Sequence, residues 1–106
     1  MNKLDEVINC LEEVKLLDIE NYDLRGESHL FDYFIIATAS NKRQLSAALD
    51  KIYEKKIDFD HIEGKGEGGW ILIDMKDIVV NIMTKESREM YSLDKYFTEL
   101  KFRQEQ

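Results

Sequence analysis

The stretch DYFIIATAS, residues 32–40, limits the possible folds of this chain more than any other segment. Its apolar residues do not recur at helical spacing, and they fill both sets of alternating positions. An extended segment of this kind is apolar on both faces, so it is stable only where layers of structure cover it from both sides. The sequence therefore predicts a central strand of a sheet that is packed on both faces.

Two segments have the spacing of amphipathic helices. Apolar residues at positions 4, 7, 8, 11 and 14 predict a helix over about residues 3–16. A second apolar stripe at positions 45, 48, 49, 52 and 53 predicts a helix over residues 41–56, and either Ser40 or Asn41 is a suitable N-cap. Both helices would turn one apolar face toward the sheet.

The remaining elements are short and complete the sheet. Residues 18–24 and 59–63 are strand candidates, and WILID (70–74) and DIVVNIM (77–83) predict a hairpin about Met75-Lys76. Residues 86–100 predict a final helical element of a turn or two that packs back through Tyr91, Leu93, Tyr96 and Phe97. The order αββαβββα predicts a single α+β domain over residues 1–106, with a mixed sheet of about five strands packed with helices. Residues 4–100 are expected to be ordered and residues 101–106 frayed.

Charge and cysteine content restrict the partners and the compartment. The chain has 22 acidic and 15 basic residues and a net charge of −7. Binding to free nucleic acid depends on Lys and Arg, so a basic partner protein is the better expectation. Cys10 is the only cysteine, which excludes an intramolecular disulfide. The N-terminus lacks the pattern of a signal peptide, and no apolar run approaches the ~20 residues of a membrane span, so we expect a cytoplasmic protein without membrane contact.

The segment EGKGEGGW, residues 63–70, contains a GxGxxG pattern formed by Gly64, Gly66 and Gly69. In a dinucleotide-binding unit this pattern opens a helix, whose N-terminal amides bind the pyrophosphate. Here the pattern is followed by a tryptophan and a β-rich run. The glycines therefore predict a turn rather than a phosphate site, and no cofactor is expected.

Asp58 and Asp60 form the most plausible catalytic pattern in the sequence. Two carboxylates at i and i+2 on a strand can converge on Mg²⁺, as a nucleotidyltransferase requires. That chemistry also needs a glycine near the triphosphate, and the segment TASNKR, which includes Ser40, has none. A solvated turn explains the same pair more simply. His29 and His61 have no metal-binding spacing, and no serine lies in a GxSxG motif, so neither a metal site nor a catalytic set is predicted.

Trp70 allows two interpretations. On a strand, Trp70, Leu72 and Asp74 share one face, while Ile71 and Ile73 share the other. A lone tryptophan in a strand is often a core residue. The presence of Asp74 on the same face favours partial exposure, because a carboxylate is rarely buried unpaired. A half-exposed tryptophan beside acids is typical of an interface anchor.

Three segments in order resemble the ribosomal silencing factors, also called the Iojap-related proteins. They are DYFIIATASNKRQL, GGWILIDMKDIVVNIM and REMYSLDKYF, and the resemblance extends from about Leu4 to Leu100. The family has a similar D-Y-F-apolar-apolar stretch that leads to S-N-R-Q. It also has a W-apolar-apolar-apolar-D-x-x-D-apolar-V-V strand pair and a C-terminal R-x-x-Y-x-L pattern. The chain departs from many members at Asn81, where they have histidine, and at Lys76, where they have a small residue, often glycine.

The resemblance implies a function that the residue chemistry alone does not give. Members are not enzymes: they are translational repressors that bind the large ribosomal subunit through its fourteenth protein and block joining of the small subunit. Relatives in organelles take part in large-subunit assembly, and free members are commonly homodimers. The implied fold is a nucleotidyltransferase-like core without its active site. By this resemblance we expect Trp70, Asp74, Met75 and Asp77 to contact the partner, with Trp70 as anchor, and no sequence-specific binding of nucleic acid. The alternative is a divergent Mg²⁺-dependent nucleotidyltransferase that uses Asp58 and Asp60.

Overall fold

The computed structural model of the protein describes residues 2–64 and 67–105, with side chains up to residue 99. Four helices and five strands follow one another along these residues. They are α1 (Lys3–Glu13), β1 (Leu17–Asp23), β2 (Tyr33–Ala39), α2 (Lys42–Glu54), β3 (His61–Glu63), β4 (Trp70–Asp74), β5 (Ile78–Thr84), α3 (Lys85–Tyr91) and α4 (Leu93–Glu105). Within these residues no helix is long and apolar enough to cross a membrane.

The five strands form one mixed sheet in the order β1-β2-β5-β4-β3. β2 and β5 are parallel, and all other neighbours are antiparallel. Every residue of β2 after Tyr33 is buried, and so is every residue of β5 before Thr84. The structure thus confirms the predicted α+β class, the doubly covered strand and the hairpin about Met75-Lys76.

Each face of the sheet carries its own apolar cluster. On the first face, α1 and α2 pack their apolar stripes against alternate residues of β2, β4 and β5, among them Ile35, Ile73 and Val80. The second face is covered only in part, because α4 reaches it mainly through Phe97. The Phe97 ring stacks on Phe34 at a centroid distance of 4.2 Å. The two faces are therefore unequal, and only the first is covered by a pair of long helices.

The C-terminal region differs from the single predicted helix. Ser92 has φ 53° and separates α3 from α4, so the element order is αββαβββαα. A residue in the left-handed region stops the α-helical hydrogen-bond pattern, and the chain changes direction there. The backbone is helical through Glu105, but the side chains from Leu100 onward lie outside the described residues, and the fraying of 101–106 stays a prediction.

Two further element boundaries differ from those predicted from the sequence. α1 ends at Glu13 instead of residue 16, because Lys15 takes φ 60° and starts the turn into β1. β3 begins at His61 instead of residue 59. At the start of α2 the cap is Asn41, whose Oδ1 accepts a hydrogen bond of 2.9 Å from the Gln44 amide.

The glycine-rich loop turns the chain into β4, as predicted. Gly64 and Gly69 have φ of 79° and 80°, a region that favours glycine. A Cβ at Gly64 would lie 2.5 Å from the Trp70 carbonyl oxygen. These two glycines therefore serve close backbone packing. The third glycine of the pattern, Gly66, lies outside the described residues.

Candidate functional site

The second sheet face is open on the side of β3 and β4. Two adjoining concavities of about 430 and 210 Å³ lie there, and both include Leu72. We call this surface the open face. It is lined by Leu30, Phe31, Phe34, Asp60, Leu72, Asp74, Lys76 and Val79 in the larger concavity and by Glu63, Gly64, Trp70 and Leu72 in the smaller one. An apolar floor with three carboxylates and one ammonium group around it suits a partner that is apolar at its centre and basic at its rim.

Trp70 is half-buried on the open face. Its indole Nε1 donates a hydrogen bond of 3.0 Å to Oδ1 of Asn81, and its ring contacts Tyr91 at a centroid distance of 4.8 Å. The Asn81 side chain is fully buried and donates through Nδ2 to the Ile35 carbonyl oxygen at 3.2 Å. Trp70 thus combines both sequence interpretations: one edge is bonded into the core, and part of the ring remains accessible.

Asp74 shapes the corner of the β4–β5 hairpin. It is half-buried, and its Oδ1 accepts a hydrogen bond of 3.0 Å from the Lys76 amide. Lys76 has φ 71°, a backbone conformation that favours glycine. Asp74 also lies at the rim of the open face.

The other two predicted contacts lie in different surroundings. Asp77 is exposed on the hairpin turn, and its carbonyl oxygen accepts hydrogen bonds from the amides of Asp32 and Tyr33. Met75 is only 2% exposed and packs into the apolar cluster of the first face. The structure therefore brings Trp70 and Asp74 together on the open face and places Asp77 at its corner. A contact through the Met75 side chain would require the corner to rearrange.

Sequence reasoning missed several residues of the open face. Leu30, which is 82% exposed, and Phe31 come from the loop between β1 and β2, and Glu63 comes from β3. Leu30-Phe31 is an apolar pair inside an otherwise polar loop, which is a signal that the sequence does contain. Its position beside Leu72 depends on the pairing of distant strands and could not be inferred from spacing.

A charged cluster at the other side of the second face holds the C-terminal helices. Arg88 donates to both carboxylate oxygens of Asp94 at 2.8 and 2.9 Å, and also to Thr38 Oγ1 and the Asp18 carbonyl oxygen. Tyr22 Oη donates to Asp94 at 2.7 Å. The hydrogen bonds from Arg88 hold the pKa of Asp94 below its usual value. Burial, followed by the bond to Asp94, raises the pKa of Tyr22 to about 12.

This cluster also lines a cleft of about 750 Å³ at the carboxyl ends of β2 and β5. Ligands of open α/β sheets often bind at such strand ends. Here four hydrogen bonds of Arg88 go to the protein itself. No buried side-chain N or O atom among the described residues lacks a partner. The arrangement therefore serves to join α3, α4, β1 and β2.

Asp58 and Asp60 do not form the metal site that a nucleotidyltransferase needs. Both are exposed and precede β3 instead of lying on it. The Asp60 amide donates to the Asp74 carbonyl oxygen at 2.8 Å, which ties this loop to the neighbouring strand. In the part of the chain that the structure describes, no group of three or more His, Cys, Asp or Glu residues could hold a metal ion. The turn interpretation accounts for the pair.

Comparison with known proteins identifies the family. Residues 1–106 match the family described as "Ribosomal silencing factor during starvation". The chain belongs to the ribosomal silencing factor family. It is 36% identical to the ribosomal silencing factor RsfS of Haemophilus influenzae over 99 residues. The aligned residues cover 90% of this chain and 97% of that protein. Members are regulatory proteins and not enzymes.

One solved structure and one more distant relative extend the comparison. A crystal structure of a protein from Chromobacterium violaceum superposes with a TM-score of 0.82 at 29% identity, covering 91% of this chain and 83% of that one. The mouse protein named "Mitochondrial assembly of ribosomal large subunit protein 1" is 29% identical over 102 residues, which cover 90% of this chain and 45% of that protein. The family identified from three sequence segments is thereby confirmed, together with the α+β fold of a ribosomal silencing factor.

Proposed function

We propose that this ribosomal silencing factor binds the large ribosomal subunit through its fourteenth protein and sterically blocks joining of the small subunit. The open face is the observation that carries the proposal, because it joins an apolar floor to an acidic rim around the half-exposed Trp70. Ribosomal proteins are generally basic, so Asp74, Asp60 and Glu63 would face cationic groups of the partner. The apolar residues would supply most of the affinity, and the acids would speed encounter and fix orientation.

The mechanism requires no chemistry. A body of 12.5 kDa seated on the joining surface excludes the small subunit by overlap alone. In this mechanism Trp70 is the anchor, since its ring is already held by contacts with Asn81 and Tyr91 and loses little conformational freedom on binding. Leu30 and Leu72 extend the apolar contact, while Asp74 and Asp77 contribute charge at the hairpin corner. A role in large-subunit assembly, as in the name of the mouse relative, is compatible with the same surface.

Two finer points accompany this proposal. We expect the protein to act in the cytoplasm, where ribosomal subunits join. We also expect free protein to be a homodimer, as the family resemblance implies, and sedimentation equilibrium of the purified chain measures this directly. A monomer at all concentrations would remove the dimer from the proposal without affecting the docking surface.

Co-sedimentation with purified ribosomal subunits tests the proposal. Wild-type protein should pellet with large and not with small subunits, and it should reduce formation of the joined ribosome when it is added first. Leu30→Asp should abolish pelleting, because it places a charge in the apolar part of the open face. Leu30 is 82% exposed, so the substitution should cost the fold little. Tyr53→Asp is the matched control, since Tyr53 is 56% exposed and lies on α2, over the opposite sheet face. Equal binding to both subunits, or undiminished joining at saturating protein, would overturn the proposal.

A further inference from the structure

Positive charge collects at one edge of this acidic molecule. The last residues of the parallel strands β2 and β5, Ala39 and Thr84, are paired. The helices that follow these strands, α2 and α3, therefore begin next to each other. They begin with Lys42-Arg43 and with Lys85. The turn after α1 joins them, because Gln44 Nε2 donates to the Lys15 carbonyl oxygen at 3.1 Å. We call Lys15, Lys42, Arg43 and Lys85 the basic edge.

The cations of the basic edge are not used by the fold. All four side chains are exposed, and within the described residues none of them forms an ion pair. The acidic residues Asp18, Glu86 and Glu89 also lie near this edge, together with Lys95, and Asp94 is neutralised by Arg88. An excess of positive charge therefore remains locally on a chain of net charge −7.

The position of two of these cations is unfavourable for the helix that carries them. The first turn of α2 contains Lys42 and Arg43 and no acidic residue. The N-terminal end of a helix is electropositive and favours acids, so cations there reduce stability. A charge arrangement that costs stability and is left unpaired is consistent with binding to an external anion.

We propose that the basic edge binds the phosphodiester backbone of RNA on the particle to which the open face docks. This inference rests on the proposed function, which places the protein against a particle built largely of RNA. Trp70 pairs with Met83, one residue before the end of β5, and Lys85 begins α3 directly after that end. The open face and the basic edge are therefore neighbours, so one particle can contact both. Lys and Arg that neutralise phosphates give affinity without reading sequence. Because the chain has a net charge of −7, RNA alone should bind weakly. We therefore expect RNA binding only in complexes in which the open face is already engaged.

Binding to large subunits over a salt series provides the first test. Lys42→Glu/Arg43→Glu should weaken binding and make the slope of log Kd against log salt smaller by about 1.5, since each lost phosphate contact contributes about 0.7–0.9. The double variant should melt at a higher temperature than wild type, so weaker binding would not reflect unfolding. The control is Lys55→Glu/Lys56→Glu, which makes the same charge change at exposed positions at the opposite end of α2, outside the open face, and should retain the wild-type slope. If wild type and both double variants share one slope, the basic edge proposal is wrong, while the docking proposal stands. If wild type does not bind large subunits at all, the docking proposal itself fails.

Cross-linking distinguishes RNA from an acidic protein at the same edge. Ser46→Cys places a thiol on the exposed surface of α2 one turn beyond Lys42, and Cys10 is 1% exposed and so protected from labelling. A benzophenone attached at position 46 should give a cross-linked product with large subunits that ribonuclease degrades. A product that resists ribonuclease and contains only ribosomal protein would overturn the assignment to RNA.

Discussion

The indole Nε1 of Trp70 and the fully buried Oδ1 of Asn81 are joined by a hydrogen bond of 3.0 Å across neighbouring strands. This bond connects the anchor of the open face to β5 and, through Asn81 Nδ2, to β2. We therefore expect this residue pair to contribute to stability and, in the proposed docking, to recognition. A substitution that keeps an aromatic ring but removes the indole N–H, compared with one that removes both, can distinguish these contributions.

We expect Trp70→Phe to lower the free energy of unfolding by about 1–3 kcal/mol, because Asn81 Oδ1 loses its donor in a buried site. Trp70→Ala should lose more and still melt cooperatively, since the ring is only half-buried. Urea denaturation measures both changes. The affinity for large subunits should fall much further with Ala than with Phe, by ~2 kcal/mol or more, because Phe keeps most of the apolar contact. Equal affinities of the two variants would contradict the anchor role.

Lys76→Gly should stabilise the protein by about 1 kcal/mol. Lys76 has φ 71°, and a residue with a Cβ pays an energetic penalty there that glycine avoids. Thermal unfolding measures the gain. Lys76→Ala is the control, because it removes the same side chain and retains the Cβ, so it should show no such gain. Equal stabilisation by both substitutions would show that the lysine side chain, and not the backbone conformation, is responsible.

Gly69→Ala should destabilise the protein by ~2 kcal/mol or more. Gly69 has φ 80°, and a Cβ there would lie 2.6 Å from Ser87 Oγ and 2.8 Å from Thr84 Oγ1. Gly68→Ala, one residue earlier, is the control: a Cβ at Gly68 meets nothing within 4 Å, so its effect should be within about 0.5 kcal/mol. Chemical denaturation of the two variants compares them directly. A larger loss at Gly68 than at Gly69 would be evidence against this loop geometry.

Asp94→Asn should change how stability depends on pH. Because the pKa of Asp94 is lowered in the folded protein, its carboxylate contributes stability above about pH 4, and this contribution is lost as the pH falls through the folded-state pKa. At pH 7 the variant should be less stable by about 1–3 kcal/mol, through weaker bonds to Arg88 and Tyr22. The difference from wild type should shrink in acid, as urea melts at several pH values will show. An equal difference at neutral and at acid pH would contradict this role of Asp94.

The elements with a clear period could be predicted from the sequence, and those defined by distant contacts could not. The alternation in WILID gave the bounds of β4 and the side on which Trp70 and Asp74 lie. The break at Ser92 was missed, since its left-handed conformation is not marked by a glycine. The bidentate pair of Arg88 and Asp94 was also missed, because it depends on the turn that Ser92 makes. Asn81 reads as a polar interruption of an apolar strand, and only the three-dimensional structure shows both of its partners.

The two edges of the sheet leave little backbone to which another chain could pair. β3 offers three residues before the turn at Gly64, and β1 carries an irregularity between Leu17 and Glu20 together with exposed acids. Short or irregular edges with charged side chains disfavour the addition of a further strand. Recognition must then depend on side chains presented by a surface, so single substitutions can retune which partner is accepted, while self-templated polymerisation into fibres is disfavoured by the same architecture.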